Sequence, residues 1–168
     1  MKLFLMRHAE AKSLNYQDDH LRALTQKGIK EAEEAAAFLQ KYKIDKILVS
    51  NAVRTIQTGE IIRNKINSAN FEICPELYAS TSEDIIELIS QQEDQHRHIL
   101  IIAHNPGILN AALALVEYES PEYKSIVKNG MPTARIIKIE LDNITPTVVK
   151  DSILATVLMK VYHHGFDS

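Results

Sequence analysis

Two arginines and two histidines stand where short apolar runs give way to polar residues. The run Lys2–Met6 leads straight into Arg7-His8, the run Lys46–Val49 into Ser50-Asn-Ala-Val-Arg54, and the run His98–Ala103 into His104-Asn-Pro-Gly. A guanidinium is a planar fork that matches phosphate oxygens two at a time. An imidazole changes charge near neutral pH, so it can be a nucleophile when neutral and a cation when protonated. Helix N-termini add N–H groups that lack partners within their own helix. Together these groups make an anion site. Taken singly, each residue also fits a plainer role, a hydrogen-bonded structural histidine or a solvated arginine. The functional reading rests on all four occupying equivalent places.

For Arg7, His8, Arg54 and His104 to meet, the apolar runs must be strands of one sheet with their carboxyl ends together. Besides Lys2–Met6 and Lys46–Val49, strands are expected at Phe71–Cys74, His98–Ala103 and Thr133–Leu141. The unbroken apolar character of His98–Ala103 predicts burial on both faces, as in the middle of a parallel sheet. Residues 9–24 read as a long polar loop. Thr25 is placed to cap a helix running to about Tyr42, with Ile29, Ala32, Ala36 and Leu39 on one face. Further helices are expected from Ala52 to about Ile66, from Thr81 or Ser82 to about Gln92, and from about Pro106. Leu154–Val161 fits either strand or helix. Strands alternating with helices predict an α/β layered fold, in which ligands bind outside the carboxyl ends of the strands.

The 168 residues, 45% hydrophobic and 24% charged, suit one globular domain over 1–168 that needs neither disulfides nor a structural metal. Lys and Arg number 19 against 22 Asp and Glu, a net charge of −3. That balance speaks against nucleic-acid binding by bulk electrostatics and against a polybasic membrane binder, and leaves room for a local cationic pocket. The single cysteine, Cys74, reads as a buried inert strand thiol in a reducing compartment. The apolar stretch at the N-terminus is too short for a signal peptide. The uncharged stretch Ile99–Val116 is broken by His104-Asn-Pro-Gly, so it reads as strand, turn and helix rather than a membrane span. A cytoplasmic protein is expected. His96-Arg-His98 and His163-His164 lack zinc-site partners, and no G-x-G-x-x-G or Walker motif occurs, so neither metal nor nucleotide cofactor is expected.

Leu5-Met-Arg-His-Ala-Glu-Ala resembles the signature of the histidine phosphatase, or phosphoglycerate mutase-like, superfamily. The resemblance continues through Asp19-His-Leu-Arg-Ala-Leu-Thr-Gln-Lys-Gly28, Val49-Ser-Asn-Ala-Val-Arg-Thr-Ile-Gln-Thr58 and Ile102-Ala-His-Asn-Pro-Gly107, with Met131-Pro-Thr-Ala as a fainter echo. Ala9 stands where many members have Gly, and Asn51 where many have Pro. Within the superfamily the chain resembles the short SixA-type phosphohistidine phosphatases, which lack the helical insertions that roof the pocket of sugar-phosphate mutases.

The resemblance implies a three-layer α/β/α fold with a mostly parallel central sheet and an open, shallow site. It implies His8 as nucleophile, forming a phosphohistidine intermediate that water hydrolyses, with Arg7, Arg54 and His104 on the phosphate oxygens and no metal. Arg7, Arg54 and, if protonated, His104 would keep His8 neutral. Its other ring nitrogen should donate to a backbone carbonyl. Many members carry a general acid after the third strand. Here Glu76 precedes Leu77, whereas mutase-like members place the acid just after the equivalent leucine. Glu76 departs from that position, which favours its plainer role as a loop carboxylate or an arginine partner; it is nonetheless the candidate acid of this region. Thr133 is a further candidate to touch phosphate. The function implied is removal of phosphate from a phosphorylated histidine on a signalling protein, such as a histidine phosphotransfer domain. The alternatives are a small-molecule phosphomonoesterase or sugar-phosphate phosphatase, and a non-catalytic phosphate-binding module.

Overall fold

The computed structural model describes residues 1–13, 18–67, 70–141 and 144–149, and the backbone of 159–164. Among these, six strands form one sheet: β1 (Lys2–Arg7), β2 (Lys46–Val49), β3 (Asn70–Ile73), β4 (His98–Ala103), β5 (Ile136–Leu141) and β6 (Met159–His164), in the order β3-β2-β4-β1-β5-β6. β3, β2, β4 and β1 are mutually parallel, while β5 runs antiparallel to β1 and β6 antiparallel to β5. The sheet is therefore mostly parallel, as the sequence pattern predicts. β4 lies between β2 and β1, and Ile99–Ala103 are all buried. Burial on both faces is why this strand shows no polar alternation.

Helices cover both faces. α1 (Gln26–Leu39) and α2 (Val53–Ile66) pack on the face carrying Phe4, Met6, Ile47, Val49, Leu100, Ile102 and Ile136. α3 (Ser82–Ser90), α4 (Gly107–Ala114) and α5 (Pro121–Asn129) close the other face, over Leu3, Leu5, Leu48, Ile99, Ile101 and Ile137. Successive strand residues thus feed opposite cores, the period-two rule of a sheet buried on both sides. α1 starts where Thr25 accepts from the Gly28 amide, and α3 where Thr81 and Asp84 form a reciprocal capping box.

Three expectations change. The loop over residues 9–24 carries a short 3₁₀ turn at Asp19–Leu21 and a bridge between Ala11 and Leu24. Helix α1 ends at Leu39 rather than near Tyr42. The last expected strand begins at Ile136 rather than Thr133, because Ala134 takes a left-handed conformation, φ 57°, whose amide faces the Arg7 and His8 carbonyls. Helix α5 has no counterpart in the sequence reading: of its residues only Ile126 is buried, which gives too little apolar periodicity to read. β6 places Met159–Val161 in a strand, and the rest of the ambiguous stretch, 154–158, lies outside the described residues. Cys74 is buried, and desolvation pushes its thiol up to about 12, which makes it the inert thiol expected. None of the described helices is long and apolar enough to cross a membrane.

Candidate active site

Four adjacent parallel strands end at one edge of the sheet, and each delivers a segment of the site. β1 delivers His8, β2 delivers Ser50 and the first turn of α2, β4 delivers His104, and β3 delivers the 3₁₀ turn Pro75–Leu77 with Tyr78. β5 runs the other way, so the loop before it, with Met131 and Thr133, reaches the same edge. Close packing of these loops leaves little slack. A Cβ on Gly107, at the start of α4, would stand 2.1 Å from the Ser80 carbonyl oxygen. Gly107→Ala must therefore move backbone, at a cost of about 2 kcal/mol against a propensity gain of under 1. Denaturant unfolding should show the loss.

Arg54 is the hub. It occupies the first turn of α2, a place where the helix dipole disfavours a cation. It is nonetheless only 5% exposed. Its Nε donates to His8 Nε2 at 3.3 Å, and its Nη2 lies 3.2 Å from His104 Nδ1. Its Nη1 donates to the Asp19 carbonyl at 2.7 Å, and Nη2 also to Asp19 Oδ2 at 2.8 Å. A buried guanidinium is tolerable only with such partners.

These bonds dictate both histidine tautomers, because arginine can only donate. His8 Nε2 and His104 Nδ1 must carry lone pairs. His8 Nδ1 then donates to the Ala9 carbonyl at 2.8 Å, and His104 Nε2 to Ser50 Oγ at 2.8 Å. The backbone-carbonyl partner expected for His8 is Ala9. Both rings are buried and neutral. Burial, Arg54, Arg7 and Arg22 lower His8 to about 4, against the bond to Ala9. Burial, Arg54 and His8 lower His104 to about 3. In this state His104 is an acceptor, not the cation that the sequence reading allowed.

Arg7 stands near enough for its charge to act on His8. Its Nη1 donates to the Met131 carbonyl at 3.2 Å, and its buried Nε has no acceptor among the described residues. Burial and the neighbouring Arg22 and Arg54 lower its pKa. Asn105, next to His104, donates to the same Met131 carbonyl at 2.9 Å and so ties the β4 and β5 loops together.

The structure thus brings His8, Arg54 and His104 into direct contact, with the two imidazole centroids 5.2 Å apart. Glu76 is exposed, and no hydrogen bond or ion pair joins it to Arg7, His8, Arg54 or His104 among the described residues. Thr133 spends its hydroxyl on Glu31 Oε1 at 3.2 Å, and Glu31 Oε2 accepts the Glu10 amide, which links the β1 and β5 loops.

Three residues escaped the sequence reading: Asp19, Arg22 and Tyr78. Asp19 accepts from Arg54, from Arg22 Nη1 at 2.9 Å and from the Tyr78 hydroxyl at 2.6 Å. The Tyr78 bond, with Arg22 and Arg54, holds its carboxyl well below the usual carboxylate range. The only signal for Asp19 and Arg22 was their place in the segment Asp19–Gly28, and for Tyr78 its position directly after Leu77.

Known proteins share this arrangement of elements. The model of the histidine phosphatase superfamily (branch 1) matches residues 3–79. The uncharacterized protein ML1117 of Mycobacterium leprae (strain TN) is 30% identical over 116 residues, 66% of this chain and 70% of that protein. The solved protein histidine phosphatase SixA complexed with tungstate is 25% identical, with a TM-score of 0.75 over 97% of this chain and 96% of that one. A candidate SixA phosphohistidine phosphatase from Nakamurella multipartitia has the same fold, at 21% identity, with a TM-score of 0.84 over 99% and 96% of the two chains. With the match to residues 3–79 carrying the ends of β1 and β2, and the tungstate-complexed SixA sharing the fold over nearly the whole chain, the chain belongs to the histidine phosphatase superfamily and is a phosphatase.

Proposed function

We propose that this phosphatase removes the phosphoryl group from a phosphorylated histidine of a cytoplasmic signalling protein, through a covalent phospho-His8 intermediate. The observation that carries the reading is the pair of bonds to His8. The Ala9 carbonyl takes the Nδ1 proton, so Nε2 holds the lone pair at the heart of the cationic cluster.

A phosphate dianion entering the cluster competes for the Arg54 N–H groups. As Nε and Nη2 turn to phosphate oxygens, His8 Nε2 is freed to attack. His104 Nδ1 is freed as well and, beside a dianion, takes up a proton from solvent and hydrogen-bonds through it to another oxygen. Arg7 binds the third. His8 Nε2 forms a bond to phosphorus while the bond from phosphorus to the substrate nitrogen breaks and its electron pair stays on that nitrogen. A substrate imidazole protonated on its other nitrogen departs neutral. Water then attacks phosphorus, the electron pair of the N–P bond returns to His8, and phosphate leaves as the monoanion that carries the water oxygen and both of its protons. Positioning and charge stabilisation supply most of the acceleration in such transfers.

The choice of phosphohistidine rests on the leaving group. An alkoxide needs a proton in the transition state, whereas an imidazole does not. Glu76 is exposed, and the Tyr78 hydroxyl is committed to Asp19. The test is a comparison of purified protein on a phosphorylated histidine phosphotransfer domain and on small sugar phosphates. Faster turnover of the phosphoprotein is expected. A protein that ignores it while hydrolysing sugar phosphates is a small-molecule phosphomonoesterase, and one that binds phosphate without forming phospho-His8 is a binding module.

A further inference from the structure

We infer that Tyr78 and Asp19 form a positioning pair that sets the orientation of Arg54, and that Tyr78 is not a proton donor to the leaving group. The inference rests on the reading of His8 and Arg54 as nucleophile and phosphate ligand.

Asp19 Oδ2 accepts two donors at once, the Tyr78 hydroxyl at 2.6 Å and Arg54 Nη2 at 2.8 Å. Its Oδ1 is held by Arg22 Nη1 at 2.9 Å, and Arg22 is itself anchored by its Nε to the Lys12 carbonyl at 2.6 Å. The Asp19 backbone carbonyl takes Arg54 Nη1 at 2.7 Å. Asp19 therefore grips one edge of the guanidinium at two points. The opposite edge, through Nε, then faces His8.

What keeps Asp19 in place is largely Tyr78. A carboxylate on a short 3₁₀ turn, with its side chain 36% exposed, has little packing of its own. The Tyr78 ring is fixed on two sides. It stacks on His20 at a centroid distance of 3.8 Å and an interplanar angle of 26°, and it meets His104 edge-on at 5.3 Å. The phenol is thus a rigid post between the β3 loop and the turn that carries Asp19. Its proton already lies on an anion that two arginines hold ionised. A donor in that position cannot hand its proton outward without leaving a phenolate beside a carboxylate.

Placement of a phosphate ligand to within a fraction of an ångström matters, since a shift of about 1 Å costs up to a hundredfold in rate. Tyr78→Phe keeps the stacked ring and deletes only the bond to Asp19. Asp19→Asn keeps the shape and removes the charge that orients Arg54. Both variants are to be assayed on a series of aryl phosphates whose phenols span a range of acidity, with thermal unfolding followed in parallel. Tyr78→Phe should lose about tenfold in kcat/KM, by the same factor along the whole series. Its acid limb should move up in pH, as a loosened Arg54 no longer opposes protonation of His8. Asp19→Asn should lose at least as much, and the double variant no more than Asp19→Asn alone, because the two residues act through one bond.

A loss that steepens as the leaving phenol becomes less acidic would make Tyr78 a proton donor and overturn the inference. So would unchanged kinetics in a folded Tyr78→Phe, or losses that multiply in the double variant. If Tyr78→Phe fails to fold, the leaving-group dependence and pH profile of Asp19→Asn decide the matter alone. His8→Ala is the control. Hydrolysis surviving in that variant refutes the nucleophile assignment itself, whereas hydrolysis lost there and untouched in Tyr78→Phe refutes only the positioning pair.

Discussion

His8→Ala should lose turnover by at least ~10⁴-fold while still binding inorganic phosphate within roughly tenfold of the wild-type affinity. The two effects separate because different atoms carry them. The nucleophilic lone pair is on His8 Nε2, and nothing else in the cluster replaces it. Affinity for the anion comes mainly from Arg7 and Arg54, whose anchors other than His8 are the Met131 carbonyl for Arg7 and Asp19 and His104 for Arg54. Rapid quenching with a phosphodonor should trap an acid-labile phosphoramidate on the wild-type chain and none on His8→Ala. Arg54→Ala should behave otherwise, weakening phosphate binding and transition-state stabilisation together, the latter by ~2–4 kcal/mol. It also strips the guanidinium from Asp19 and from both imidazoles, so its effect includes disorder of the site. A His8→Ala enzyme that still turns over, or that cannot bind phosphate at all, would be incompatible with this division of labour.

How much of the site was legible depended on what each residue is attached to. His8, Arg54 and His104 follow strands whose apolar runs are unmistakable, and parallel strands put their carboxyl ends on one edge. The rule that ligands bind at that edge then names the residues. Asp19 and Tyr78 are attached to 3₁₀ turns, where no periodicity predicts which way a side chain faces. Their roles come from tertiary contact across 59 positions of chain. Glu76 shows the same limit from the other side: a carboxylate beside the position of a family acid is chemically plausible, yet on this turn Tyr78 makes the contact to Asp19 while Glu76 is exposed. The protonation of His104 was not legible either. Charge counting along the chain suggests that a histidine near arginines is one more cation. In the fold, Arg54 Nη2 meets its Nδ1 and requires a lone pair there.

That neutrality has a measurable consequence for stability, the largest pH effect expected of this protein. An imidazole in the unfolded chain takes a proton near pH 6.5, whereas folded His8 waits until about 4 and folded His104 until about 3. Between those limits the unfolded state binds more protons than the folded one, so unfolding becomes easier as pH falls. The contribution is fully present above 6.5 and is lost progressively on acidification through the folded values. For two nearly buried rings the loss is on the order of 3 kcal/mol each, and less in sum, because protonating one breaks the Arg54 network that both share. Asp19 acts lower on the scale. Its carboxyl is depressed by Tyr78, Arg22 and Arg54, so its contribution begins to fail only below the ordinary aspartate value of 3.8. The window from 6.5 to about 4 therefore belongs to the histidines. Denaturant midpoints measured across it should fall steadily in the wild type, and His104→Gln should flatten the slope. Imidazole resonances of His8 and His104 should show no titration down to pH 5. Either ring titrating near 6.5 would mean that Arg54 does not face it as a donor, and the tautomers on which His8 depends as a nucleophile would fall with it.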